Sequence, residues 1–307
     1  MHELTALLCQ PMGEGYPTDY LLARVRGRRA AMAAMTRRVP ESVTDAEVRE
    51  NLRKEFHWVY CQMDLGMRDT FAPLFLWFEL RSVIVSLRFR RSGDRRRSAA
   101  ILAAGLLAEQ VQRALATEGE PAAAAEALAG ILAGIAAPCR ELGQVFRERG
   151  GRTFEERLVL LYLEGVAGGS FHPLVRDFFK GLVDMRNLVT LAKQLRWQLQ
   201  VPEAFARGGT IPPERLAAAS RDGTQAALDL LLAALPGMEP PAVPSLNPEP
   251  SLAAWMTRRL RKLGREPLGI GLVLDYLWRR AVEARNLGIF CHGADLDRQA
   301  VEAEVVP

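Results

Sequence analysis

The chain has 307 residues, 49% of them hydrophobic and 25% charged, with 40 Lys and Arg against 36 Asp and Glu for a formal charge of +4. That apolar content excludes a disordered chain, and the length suffices for two or three small cores. Aromatics at 7% and abundant Ala and Leu favour packed helices, and no stretch shows the alternation and turn residues of a β-ladder.

In chain order, Thr18 or Asp19 is positioned to cap a helix from Tyr20 to Arg38 that Pro40 closes. A second helix begins at Thr44-Asp45, with Glu47 as capping-box partner, and runs to about Asp64. A third spans Thr70 to Arg91. Helices from Ala99 to Thr117, Ala122 to Ile135 and Arg140 to Arg149 follow, and Gly150-Gly151 breaks the chain before Thr153 caps the next helix. Phe178 to Trp197 is an amphipathic helix with a second apolar stripe beside the first. Gly208-Gly209 and Pro212-Pro213 read as a stop and a restart, leading to short helices at 213–221 and 224–235. The Pro-rich stretch 236–250 reads as a semi-rigid loop, and further helices complete the chain.

Asp184, Arg186 and Asn187 interrupt the apolar helix at its centre, where polar groups are costly without partners. The same pattern of acid, any residue, Arg, Asn or Ser, aliphatic recurs at Glu79, Arg81, Ser82 and at Glu283, Arg285, Asn286, roughly a hundred residues apart. With the acids aligned, Leu52 to Glu79, Arg157 to Asp184 and Met256 to Glu283 each hold a helix, a short break and a cluster helix. The expected architecture is therefore all-α, with three similar helical-bundle domains at 1–98, 99–209 and 210–307. On a helix the acid and the Asn share a face, so the amide can donate to the carboxylate, and the Arg points away. Two roles suit these residues: inter-domain joints that close a ring, or contacts that serve each bundle's own loops and caps.

Catalysis finds no support in the motifs. Phosphate-binding glycine loops, dinucleotide fingerprints, His-Glu-x-x-His and Gly-x-Ser-x-Gly are all lacking. The cysteines at 9, 61, 139 and 291 are scattered, which fits a reducing compartment, and neither they nor the four histidines suggest a metal or cofactor site. No export signal or membrane-spanning run is expected, so the chain is expected on the cytoplasmic side. The arginine runs Arg24, Arg28, Arg29, then Arg90, Arg91 and Arg95, Arg96, Arg97 suit either phosphate neutralisation by a basic adaptor for nucleic acid or an electrostatic face for an acidic protein.

Four stretches in order carry a resemblance: 20–29 (YLLARVRGRR), 184–188 (DMRNL), 208–212 (GGTIP) and 276–289, with Tyr276-Leu277 and Glu283-Ala-Arg285-Asn286-Leu287-Gly-Ile289. Together they resemble the C subunit of V/A-type rotary ATPases, a family that includes the eukaryotic V-ATPase d subunit. The resemblance implies a pseudo-threefold funnel of three helical domains, a non-catalytic central-stalk part that caps the membrane rotor ring and receives the central shaft. It implies peripheral membrane association within the complex, the shaft and ring proteolipid as partners with the static membrane subunit nearby, and no nucleotide or nucleic acid bound. The arginine runs are then rim contacts.

Overall fold

The computed structural model describes residues 4–35, 44–116, 120–198, 205–238, 247–293 and 296–306, and among these the fold is all-α. The one β-type pairing among them is an isolated antiparallel bridge between Leu8 and Leu107. Several helix starts follow side chains that accept one of the first unpaired N–H groups, among them Thr44, Asp64, Asp94 and Asp297. After α1 (Thr18–Met35), α2 (Asp45–Gln62) opens on the expected capping box: Thr44 N–H donates to Glu47 Oε2 at 2.9 Å and Glu47 N–H returns to Thr44 Oγ1 at 3.3 Å. The expected end of α1 at Arg38 and Pro40 lies outside the described residues.

Asp64 accepts from Met67 N at 2.9 Å and starts α3 (Leu65–Arg91) ahead of the expected Thr70, which puts Gly66 inside the first turn. Pro73 sits within α3 and removes one rung of its ladder; the Tyr162 hydroxyl donates to the Pro73 carbonyl at 2.7 Å. By length and composition α3 is apolar enough to cross a membrane, but Phe71, Leu74, Phe75, Leu80 and Val83 are buried in the fold, so its apolar surface serves as core.

The single helix expected over 99–117 is instead two, α4 (Arg95–Ala103) and α5 (Glu109–Ala116). Between them the backbone leaves helical pairing to serve the N-terminal segment: Cys9 N–H donates to Leu106 O at 2.7 Å and Ala108 N–H to Leu7 O at 2.9 Å. After α6 (Pro121–Leu132) and a 3-10 turn (Ala137–Glu141), α7 (Leu142–Gly168) bends at Gly150, whose φ of 77° and ψ of 176° are non-helical. The expected glycine break is thus one residue wide, and the helix has resumed before Thr153. Next come α8 (Pro173–Trp197), α9 (Pro213–Asp222), α10 (Thr224–Ala234), α11 (Glu249–Leu263), α12 (Gly271–His292) and α13 (Arg298–Glu304). Within the Pro-rich stretch, 239–246 lies outside the described residues, and Glu249 and Pro250 belong to the first turn of α11, where a missing N–H costs nothing.

The chain divides into two compact units, Met1–Gly15 with Tyr60–Val183, and Tyr16–Val59 with Asp184–Pro307. The first is cored by Tyr60, Phe71, Phe75, Phe154, Tyr162 and Phe179, all fully buried, with Trp77 stacked on Tyr162 at 6.0 Å between ring centroids. The second is aliphatic, built from Leu21, Val25, Val59, Leu188, Leu252, Met256, Leu272 and Leu277.

Two glycines separate conformational strain from space. A Cβ at Gly150 or at Gly130 of α6 would meet nothing within 4 Å, but only Gly150 has a positive φ. Gly150→Ala is expected to cost about 1 kcal/mol, and Gly130→Ala to gain about 0.5–1 kcal/mol by restricting the unfolded chain. Urea denaturation of both variants checks the opposite signs.

Candidate functional site

The three polar clusters are sited on α3, α8 and α12, and in each an acid or an amide reaches the backbone of the chain that follows. Asp184 is 1% exposed. Its Oδ2 accepts from Thr210 N (3.0 Å) and Thr210 Oγ1 (2.5 Å), and its Oδ1 from Ile211 N (3.0 Å). Asn187 pairs in both directions with one residue: Nδ2 donates to Ala206 O at 2.9 Å, and Ala206 N donates to Oδ1 at 2.8 Å. Asp184 and Asn187 share a face as expected, but the amide is spent on a peptide group. Gly208, at φ 89°, is not the cap of α8; it lies in the turn that presents Thr210 and Ile211 to the carboxylate.

The other clusters repeat parts of this latch at matching offsets. Glu79 Oε1 accepts from Leu106 N at 2.9 Å, 27 residues ahead, the same separation as Asp184 to Ile211. A Cβ on Gly105 would run into the Glu79 carboxylate, so the close approach requires glycine there. Asn286 pairs in both directions with Val306, at 2.7 and 3.1 Å, 20 residues ahead against 19 for Asn187 to Ala206. Where Ser82 replaces the amide, the corresponding Ile101 and Leu102 lie inside α4 and are paired along the helix, so no amide is called for. Glu283 takes a different partner, accepting from Arg280 at 2.5 Å, and burial pushes its carboxyl above the ordinary range. The cluster arginines differ in surroundings: Arg81 is exposed, Arg186 half-buried, and Arg285 stands 3.9 Å from Glu249.

The arginine runs separate into two groups. Arg28 and Arg29 of α1 are half-buried and paired within the fold. Arg28 pairs with Glu55 at 2.7 Å and lies over the Trp58 ring at 3.7 Å, and the Tyr276 hydroxyl donates to the same Glu55 at 2.6 Å. Arg29 donates to Gly264 O at 3.0 Å and to the fully buried Asp275 at 2.8 Å. Burial raises the Asp275 carboxyl and lowers the nearby Arg279 guanidinium, the expected response of charges taken out of water. Arg90 is also drawn inside, where it donates to Leu115 O. Arg24, Arg91, Arg95, Arg96 and Arg97 remain exposed; Arg24 bonds Tyr20 at 3.2 Å, and Arg97 lies over Phe89 beside Asp94. Glu55 and Asp275 are not singled out by the sequence, and Tyr276 enters there only as part of the resemblance. The available signal was Asp275, a lone acid within the apolar run Leu272–Leu277.

Among the described residues no group of three His, Cys, Asp or Glu is placed to hold a metal ion. A family profile described as ATP synthase (C/AC39) subunit matches residues 28–302. The chain is also similar to the C subunit of the V-type ATP synthase from two strains of Thermus thermophilus. Each of these relatives is 30% identical over 250 residues, covering 78% of this chain and 75% of the relative.

The latches make a graded prediction. Asn187→Ala strands a buried peptide and is expected to cost about 2–3 kcal/mol, whereas Asn286→Ala, at a half-buried site, costs about 1 kcal/mol; chemical denaturation of the full chain measures both. The raised Glu283 carboxyl makes a second. A folded-state pKa above the unfolded value means that the folded protein binds the extra proton, so this group's contribution falls as pH rises from the ordinary carboxylate value through the raised one. Glu283→Gln removes that dependence. Relative to the native chain the variant should therefore be favoured more at pH 7 than at pH 5, as read by thermal unfolding at the two values.

Proposed function

Because the chain belongs to the ATP synthase (C/AC39) subunit family, we propose that it is a non-catalytic central-stalk subunit of a V/A-type rotary ATPase or ATP synthase. In this reading it couples the central shaft to the membrane rotor ring, for ATP-driven ion transport or ATP synthesis. It sits as a peripheral component on the cytoplasmic side, with its three helical units, 1–98, 99–209 and 210–307, arranged as a pseudo-threefold funnel. Its partners are the shaft subunits and the ring proteolipid, with the static membrane subunit as a further neighbour.

The observation that carries the reading is the recurrence of one latch at matched offsets along the chain: Glu79 to Leu106, Asp184 to Ile211, Asn187 to Ala206 and Asn286 to Val306. A part that transmits torque must resist deformation between its two attachment points. Long helices whose following segments are tied back by buried hydrogen bonds meet that requirement, and no reacting group is needed. The exposed arginines Arg24, Arg91, Arg95, Arg96 and Arg97 suit an acidic rim on a neighbouring subunit, whose attraction would weaken with salt.

The test is to tag the chain, extract it from its own cells in mild detergent at low salt, and identify the co-purifying proteins by mass spectrometry. Shaft subunits and a very hydrophobic ring protein, with ATPase activity in the eluate, are the expected result. Recovery of nucleic acid that is lost on raising salt, without those subunits, would overturn the reading.

A further inference from the structure

Residues 4–15 belong to the first unit; the chain passes into the second at Tyr16 and is back in the first at Tyr60. The departing and returning stretches are fastened side by side. Arg68, 3% exposed, donates through Nη2 to Gly13 O at 3.0 Å and to Cys61 O at 3.2 Å. Gly15, at φ 82°, packs so closely on the Met63 carbonyl that no Cβ would fit. The departing stretch is anchored as well, through Cys9 N–H to Leu106 O at 2.7 Å.

Two thiols meet at this crossing. The Cys9 S–H donates a hydrogen bond to the Cys61 sulfur, and both residues are half-buried. In sequence they are two of four scattered cysteines; the fold makes them a pair.

We propose that Cys9 and Cys61 form a redox-active dithiol that a peroxide converts into an intrachain disulfide, closing the crossing covalently. The Cys61 thiolate attacks one peroxide oxygen; an S–O bond forms, the O–O bond breaks, and the departing hydroxide takes up a proton to become water. Cys61 is then a sulfenic acid. Cys9 gives up its proton and its sulfur attacks the Cys61 sulfur; an S–S bond forms, the S–O bond breaks, and a second water leaves. Two thiols are oxidised and one peroxide is reduced.

The surroundings assign the order of events. The hydrogen bond from Cys9, aided by the Arg68 charge and opposed by burial, brings the Cys61 thiol down to about 7, so a large share of it is thiolate at neutral pH while Cys9 stays protonated. Donating that bond and being buried push Cys9 up, and Glu79 adds to this, so Cys9 waits as the resolving thiol. Tyr60 stands beside the pair, its hydroxyl also pushed up by burial. Cys139 offers a contrast within the same unit: it is fully buried, and burial raises it to about 11, which leaves it inert.

The experiment treats the reduced full-length chain with increasing hydrogen peroxide, blocks remaining thiols with an alkylating reagent, and maps peptides without reduction. The expected product links the peptides carrying Cys9 and Cys61, is lighter by about 2 Da than the two free thiols, and reverts with dithiothreitol. The thermal midpoint should rise by about 5 °C on oxidation, because the tie closes a long loop in the unfolded chain. In Cys9→Ser the link is lost and dimedone traps Cys61 as the sulfenic acid. Native Cys61 that oxidises without linking, or links formed chiefly through Cys139 or Cys291, would overturn the proposal.

Discussion

A peptide group that leaves helical pairing inside a fold must find another partner, and a polar side chain inside a helical core must find one too. In this chain each problem solves the other. Asp184 and Asn187 are costly where they stand on α8, and the turn at 206–211 has N–H and C=O groups with no helix to join. Hydrogen bonds to a buried charge contribute about 1.5–3 kcal/mol each, so the three donors on Asp184 fix that turn firmly. Glu79 does the same for the interruption between α4 and α5, where Gly105 clears the space it needs.

The ionic network of α1 follows the same logic with larger charges. Asp275 is fully buried within an apolar run, and Arg29 reaches it while also capping the Gly264 carbonyl. Glu55 is shared between Arg28 and Tyr276. Such pairs contribute little net stability against an apolar alternative, but losing one member leaves a buried charge exposed to no water. They therefore select one arrangement of α1, α2 and α12 over its neighbours more than they strengthen it. Satellite packing supports that arrangement: Met185 of α8 and Trp278 and Val282 of α12 close on Ala253, Ala254 and Val306.

Features that depend on near neighbours in the chain were legible beforehand. The Thr44–Glu47 capping box, the bend at Gly150 and the all-helical character each follow from a few adjacent residues. The polar clusters were legible as a repeat because their cost shows in any apolar helix. Their partners were not: Leu106 is fixed by an acid 27 residues upstream, so the run 99–117 reads as one helix although it forms two. The intrachain partners of the arginine runs were hidden for a similar reason, since only the fold brings Glu55, Asp275 and Leu115 to Arg28, Arg29 and Arg90. The Cys9 and Cys61 pairing was hidden by the same distance along the chain.

The interleaving of the two units bears on how the protein is made. Arg29 and its partner Asp275 are separated by 246 residues, so during synthesis α1 emerges from the ribosome long before the acid that holds it exists. Unit 1 has all its parts once residue 183 has emerged, whereas unit 2 waits for α12. Vectorial folding therefore proceeds in an order unlike that of the sequence: the middle of the chain sets first, and α1 must be kept from premature association until its distant partner arrives.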